Sequence, residues 1–170
     1  MIVTPPTHST RIAGEVYSAE LIDFKPKPSH AKKSVAQQLG LRYERRALVH
    51  LAAELEKPVV FHPAFRFRSE GKQFDQFAIP DALYISSSNV LTIFEIKLKH
   101  TADAWHQLKK LYLPIVAKAY PGYEINLCEI CASYDRGVQI PKATIIDLLP
   151  AFAATPTDFF GVYLWSGRIT

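Results

Sequence analysis

The sequence predicts an α/β fold with a mixed central β-sheet flanked by helices. Three observations carry this. A helix-period apolar stripe precedes several short runs of strand-forming residues. Two of those runs are separated by a tight polar loop, which suits an antiparallel hairpin. A second helix-period segment then links the hairpin to a further apolar run, the spacing that a crossover to a parallel strand requires. The chain has 170 residues, 48% of them apolar and 21% charged, which favours one ordinary globular domain over disorder or a repeat array.

The elements follow in order. Residues 11–24 alternate weakly through Ile12, Val16, Leu21, Ile22 and Phe24 and are expected to hold one strand. Lys25-Pro26-Lys27-Pro28-Ser29 reads as a proline-punctuated basic connector. This divides the chain into an N-terminal arm and connector, residues 1–33, and a main domain, residues 34–170. Ser34 is a candidate N-cap for a helix to about residue 56, with Leu41, Leu48, Leu51 and Leu55 on its apolar stripe. Residues 59–61 and 65–68 read as strand material, with Pro63 suggesting an edge or a bulge. Residues 79–86 and 90–98 form the hairpin around Ser87-Ser88-Asn89. Residues 103–119 form the second helix, with Ala104, Leu108, Leu111 and Ile115 on one face and an irregularity expected at Pro114. Residues 125–132 read as a buried strand. A short helix is expected over 142–149 and a last strand over 161–165.

Composition limits the function classes. No apolar run approaches the ~20 residues that a membrane helix needs. The opening Met1-Ile2-Val3-Thr4-Pro5-Pro6 has neither the cationic start nor the apolar stretch of a signal peptide, so the chain reads as unprocessed and intracellular, in the cytoplasm. Charge is unevenly placed. Residues 25–46 hold seven basic residues against one acidic, residues 97–118 hold five against one, and residues 121–170 hold three against five. Positive charge focused on two helical segments suits a polyanionic partner, though two solvated helix faces would give the same count. Lys32, Lys33, Arg42, Arg45, Arg46, Lys99, Lys109 and Lys110 are the candidates for phosphate contact.

Four residues carry candidate chemistry. With a three-residue loop, Ser86 faces Val90, and the same register puts Asp81 opposite Glu95. Residues so opposed have Cβ atoms ~5 Å apart, and two carboxylates at that distance repel unless a cation sits between them. Glu95 and Lys97 are two apart on one strand and share a face. Their strand is otherwise apolar enough to be central, where a charge must be paired or metal-bound. An Asp–Glu pair suits a hard dication such as Mg²⁺ or Mn²⁺. A neighbouring lysine can hold an attacking water and offset charge on a phosphate. Glu44 lies on the apolar stripe of the first helix and needs a partner, either a metal or one of Arg42, Arg45 and Arg46. The competing reading is that Glu95 and Lys97 form a solvated hairpin edge and Asp81 is a turn residue.

Pro80-Asp81 followed after thirteen residues by Glu95-Ile96-Lys97 resembles the motif of the PD-(D/E)XK nuclease superfamily. The expected element order, helix, three strands, helix and strand (αβββαβ), resembles that family's restriction-endonuclease-like core over residues 34–132. Glu44 resembles the acidic residue that many members carry on the first core helix. Gln107 resembles the glutamine of a Gln-x-x-x-Tyr motif, although Leu111 stands at the tyrosine position and Tyr112 follows it. The resemblance implies a Mg²⁺-dependent deoxyribonuclease, with Mn²⁺ as substitute. Asp81, Glu95, the Ile96 carbonyl and Glu44 would hold metal, Lys97 would orient the water, and Gln107 would fix substrate or Lys97. DNA is the implied partner; a homodimer or a place in a larger nucleic-acid-processing complex is left open. The alternative is a catalytically silent module of the same fold that binds nucleic acid or serves assembly.

Other signals are weaker. Cys128 and Cys131 have C-x-x-C spacing, but residues three apart on a strand point to opposite faces, so both are expected in the core. His100 reads as a surface histidine or a phosphate contact. The chain has no P-loop and no dinucleotide fingerprint.

Overall fold

The structure, a computed structural model, describes residues 14–24, 31–135, 137 and 143–167. A six-stranded mixed sheet forms the centre. Its order is β2 (Val60–Phe61), β5 (Ala82–Ile85), β6 (Val90–Lys99), β7 (Glu124–Ser133), β9 (Phe160–Leu164) and β8 (Ala143–Ile146). β5 runs antiparallel to both of its neighbours, β2 and β6; β6, β7, β9 and β8 run parallel. A smaller sheet pairs β1 (Val16–Ile22), β3 (Ala64–Ser69) and β4 (Gln76–Ala78), all antiparallel. The strand expected in the N-terminal arm is therefore β1, paired with β3. Residues 1–13 and 25–30, the rest of the arm and most of the basic connector, lie outside the described residues.

Helix α1 (Val35–Glu54) starts where its cap dictates. The Ser34 hydroxyl accepts the Gln37 N–H at 3.2 Å, and the Gln37 side chain accepts the Ser34 N–H at 2.8 Å. This reciprocal pair satisfies two main-chain donors that the first turn leaves open. The helix lays Tyr43, Ala47, Leu48 and Leu51 on one face of the central sheet, against Phe94, Ile96, Cys128 and Ile130. Helix α4 (Leu149–Ala154) covers the same face.

The opposite face is covered by the second helical segment and the small sheet. This segment has three parts: α2 (Ala102–His106), a π-helical stretch over Gln107–Tyr112, and α3 (Leu113–Ala119). Ala104, Leu108, Leu111 and Ile115 are buried as their spacing requires. Leu91, Ile93, Leu108, Ile115, Phe65 and Phe67 join in one core cluster. The irregularity expected at Pro114 begins earlier, in the widened turns at Gln107. Pro114 itself follows closely on that stretch, inside one continuous run of right-handed helical backbone, so the widened turns lie just where a proline interrupts the regular hydrogen-bond ladder.

The helix expected over 142–149 is a correction. Residues 143–146 form β8, and the helix begins only at Leu149. Thr144, Ile145 and Ile146 are β-branched and lose little by being extended. Pro150 lies in the first turn of α4 and is suited to start a helix there.

Gly161 on β9 marks a close approach. A Cβ there would overlap Ile146 Cδ1 and lie 2.9 Å from two ring carbons of Phe152. Gly161→Ala is expected to lower stability by roughly 1–3 kcal/mol through overpacking, read as a lower midpoint in urea with an unchanged slope. A midpoint equal to wild type would show that Ile146 and Phe152 yield at no cost.

Candidate active site

The site is built on the β5–β6 hairpin and the strand beside it. Ser86 N–H donates to Val90 O at 2.9 Å across a three-residue loop that ends on Asn89, whose φ of 57° lies in the left-handed region. Ala82, Leu83, Tyr84 and Ile85 then face Phe94, Ile93, Thr92 and Leu91, the register expected from the loop length. One step further, Asp81 is level with Glu95. Its Oδ2 accepts the Ile96 N–H at 2.6 Å, which fixes the carboxylate against β6.

Glu95 is 3% exposed. Its Oε1 pairs with Lys97 Nζ at 2.6 Å, while its Oε2 is buried with no partner. An ionised oxygen left so in a low-dielectric site is unstable alone. The electrostatics say the same. Burial pushes the Glu95 carboxyl up to about 8, and the Asp81 charge adds to it against the pull of Lys97. Burial pushes Asp81 up to about 6, with the Ile96 N–H opposing and Glu44 adding. Burial alone would depress the Lys97 ammonium, but its pairing with Glu95 and the charges of Asp81 and Glu129 outweigh that and raise it above the ordinary lysine value. Lys97 is thus a held cation between acids that are short of positive charge.

Glu44 arrives from the other layer. It projects from α1 and lies 3.6 Å from His62 Nε2. One donor atom each from Glu44, His62 and Asp81 falls within 4.8 Å of the others, a spacing able to hold one metal ion. None of Arg42, Arg45 and Arg46 is the partner that this geometry gives Glu44; His62 is. Sequence reading had no reason to single out His62. Its place depends on the two-residue strand β2 and on a left-handed φ of 48°, uncommon for a residue with a Cβ. Its N–H donates to Asp81 O at 2.9 Å, so the two residues are fastened by backbone as well. Leaving the hairpin register aside, the only prior hint was Pro63, which marks the chain as unable to continue an inner strand.

No family model, curated protein or solved structure matches this chain.

The Ile96 side chain packs into the α1 layer, so only its main chain faces the site, and its N–H is committed to Asp81. Gln107 opens the π-helical stretch with its Oε1 buried and unpartnered. Tyr112 closes that stretch, donates its hydroxyl to Ile79 O at 3.3 Å, and is held protonated by burial and by the charges of Glu95 and Asp81. On a regular α-helix residues five apart point about 140° apart; i→i+5 turns reduce that angle. The tyrosine one place late in the sequence is thereby turned toward the carboxylates.

Among the basic candidates, Lys32, Lys33, Arg42, Arg45 and Arg46 are exposed at or before α1. Lys109 and Lys110 are exposed on the π-helical stretch, on the other side of the central sheet, with Lys110 Nζ 5.6 Å from the centre of the Trp105 ring. Lys99 is 3.8 Å from Asp135. The two basic regions thus flank the sheet from opposite layers.

His100 is a correction: it is neither on the surface nor free for phosphate. It is 1% exposed, with Nδ1 2.6 Å from Glu129 Oε2 and its ring stacked on Tyr134. Cys128 and Cys131 are free and buried as expected. His100, Glu129 and Cys131 bring donors within 4.8 Å of one another, but the short hydrogen bond accounts for the first two, and burial pushes the Cys131 thiol up to about 12. No helix among the described residues is long and apolar enough to cross a membrane.

Proposed function

We propose that the chain is a Mg²⁺-dependent nuclease of the PD-(D/E)XK type that hydrolyses phosphodiester bonds in DNA, with Mn²⁺ as a substitute ion. The observation that carries this is the gathering of Asp81, Glu95 and Lys97 on one face, with Glu95 Oε2 buried and unpartnered. The sequence α1, β2, β5, β6, α2 to α3, β7 supports it as an αβββαβ restriction-endonuclease-like core. We assign the catalytic domain to residues 34–170, with β1 from the preceding segment added to its smaller sheet.

The donor set fits a divalent ion. Asp81 and Glu44 offer hard oxygens, and His62 adds a nitrogen that Mn²⁺ accepts more readily than Mg²⁺; Glu95 stands outside that three-residue cluster and would have to bring its buried Oε2 to the ion. When bound, such an ion supplies Lewis-acid stabilisation at the phosphate. The chain's own residues do the rest. Lys97, kept charged by its acidic neighbours, orients a water and offsets charge gathering on the phosphate oxygens. Ile96 N–H holds the Asp81 carboxylate in one orientation. Gln107, with a free buried oxygen, positions substrate or Lys97.

The test is incubation of the protein with linear, circular and branched DNA in Mg²⁺, Mn²⁺ or EDTA. Cleavage in the first two and none in EDTA is expected. Every DNA form left intact in Mn²⁺ overturns the reading in favour of a silent binding or assembly module.

Binding is tested separately. Lys32→Ala/Lys33→Ala is expected to weaken binding to all DNA sequences alike and to flatten the salt dependence by up to ~2 charges. Turnover at saturating DNA should be unchanged, because neither residue touches the reacting phosphate. An unaltered salt slope would move the DNA path to Lys99, Lys109 and Lys110.

A further inference from the structure

Glu129 is a buried carboxylate that the proposed chemistry leaves unused. It stands on β7 level with Glu95 on β6, and the parallel register turns both side chains to the face that Lys97 shares. Both of its oxygens are fixed. Oε2 lies 2.6 Å from His100 Nδ1, and Oε1 accepts the Thr101 N–H at 3.3 Å. His100 cannot swing away, since it is stacked on Tyr134 with ring centres 4.4 Å apart. A carboxylate with both oxygens tied and no exposed surface is a preorganised acceptor of positive charge.

Lys97 shares that face, two residues beyond Glu95 on β6. Its ammonium bonds to Glu95 Oε1 and is not in ion-pair contact with Glu129, whose charge acts on it through space as a second, weaker attraction. Glu95 has a second duty as a proposed ligand. A carboxylate whose charge is shared with a dication attracts a nearby ammonium less, and the dication itself repels it. Lysine is a flexible four-carbon stem, so without a second anchor its head would reorient toward solvent. Lys97 is already partly exposed.

We propose that Glu129, clamped by His100 and Thr101, is a positioning residue that holds the Lys97 ammonium in place when Glu95 is engaged by a divalent cation. Its catalytic meaning rests on the nuclease reading; the clamp itself is a statement about Lys97 alone.

The test reads Lys97 directly. In protein labelled with ¹⁵N-lysine, an immobilised ammonium gives a resolved Nζ signal, assigned by its loss in Lys97→Arg. The signal is expected to persist in wild type with saturating Mg²⁺. In Glu129→Gln, which keeps the shape and the acceptor for Thr101, it should be present without Mg²⁺ and vanish with it. Loss of the signal in wild type with Mg²⁺, or its persistence in Glu129→Gln with Mg²⁺, overturns the proposal. If Glu129→Gln does not fold, His100→Asn frees Glu129 Oε2 while keeping its charge, and the Mg²⁺-loaded signal should broaden; an unchanged signal is again fatal. In turnover, Glu129→Gln should lower kcat about tenfold with KM within twofold, and an unchanged kcat removes the catalytic role. Wild type that cuts no DNA defeats the nuclease reading, while the Nζ signal still decides the clamp.

Discussion

Asp81→Asn is expected to abolish DNA cleavage, by on the order of 10²-fold or more in kcat, and to leave the fold intact. The substitution keeps an acceptor for the Ile96 N–H, the contact that fixes this side chain at 2.6 Å. It removes only the charge. Asp81→Ala would remove both and leave the Ile96 N–H unpaired, which confuses a catalytic loss with a structural one. Because Asp81, Glu95 and Glu44 all repel one another through a buried site, Asp81→Asn should also melt at an equal or higher temperature than wild type when metal is absent. Cleavage within threefold of wild type would eliminate Asp81 as a ligand and the mechanism with it. Lys97→Ala should show the same loss of turnover for a different reason, since on the proposed mechanism the metal ligands stay and only the cation at the phosphate goes.

The second large effect is on stability. The metal-free protein should become less stable as pH rises from about 4 to 9, and saturating Mg²⁺ should reverse this. The folded Asp81 carboxyl titrates at about 6 against an ordinary 3.8, and Glu95 at about 8 against 4.5. Between those values the native state holds protons that the unfolded chain has released. Stability is therefore complete below the unfolded values and is lost as pH climbs through the folded ones. Glu129, raised by burial, acts in the same direction. A ligand that takes only the ionised acids offsets the loss: at a hundredfold excess over its Kd it contributes ~2.7 kcal/mol, which for a chain of this length is roughly 5–10 °C in Tm. Glu95→Gln removes the largest of these shifts. Its melting curve should depend less on pH and should respond less to Mg²⁺ than wild type, whatever its absolute Tm without the Lys97 pairing. Equal Mg²⁺ shifts in wild type and Glu95→Gln would place the ion elsewhere.

Much of the candidate site was legible because it is local. A three-residue loop sets the pairing of β5 with β6, so Asp81 and Glu95 could be matched by counting from Ser86 and Val90. A two-residue spacing puts Glu95 and Lys97 on one face whatever the rest of the chain does. Ser34 announces α1, and the three- and four-residue spacing of Ala104, Leu108, Leu111 and Ile115 announces the buried side of the second helical segment. The β8 strand is hidden in the sequence because it is short and its extended form is stabilised by pairing with β9, whose partner residues lie seventeen positions later (Ala143 with Phe160).

Glu129 shows the other limit. A lone carboxylate at the centre of the apolar run around Cys128 and Cys131 is a visible signal that a partner must exist. Even so, its neighbour could not have been named. The register of β6 with β7 is set by how the intervening helical segment packs, and no loop length encodes it. His62 is harder still, since its position depends on a two-residue strand and a left-handed backbone that only contacts with Asp81 and Glu44 explain.

By itself, then, the sequence determined what short-range geometry controls: the caps, the periodic faces, the hairpin register, and the Asp81, Glu95 and Lys97 set that follows from it. The tertiary structure alone decided which charges share a buried space. It brought Glu44 round from the α1 layer to His62 and Asp81, set Glu129 beside Glu95, and widened the turns from Gln107 to Tyr112. The physical reason is that burial and charge pairing are properties of the packed interior. They depend on crossovers of tens of residues, along which local conformational preferences carry no information about who meets whom.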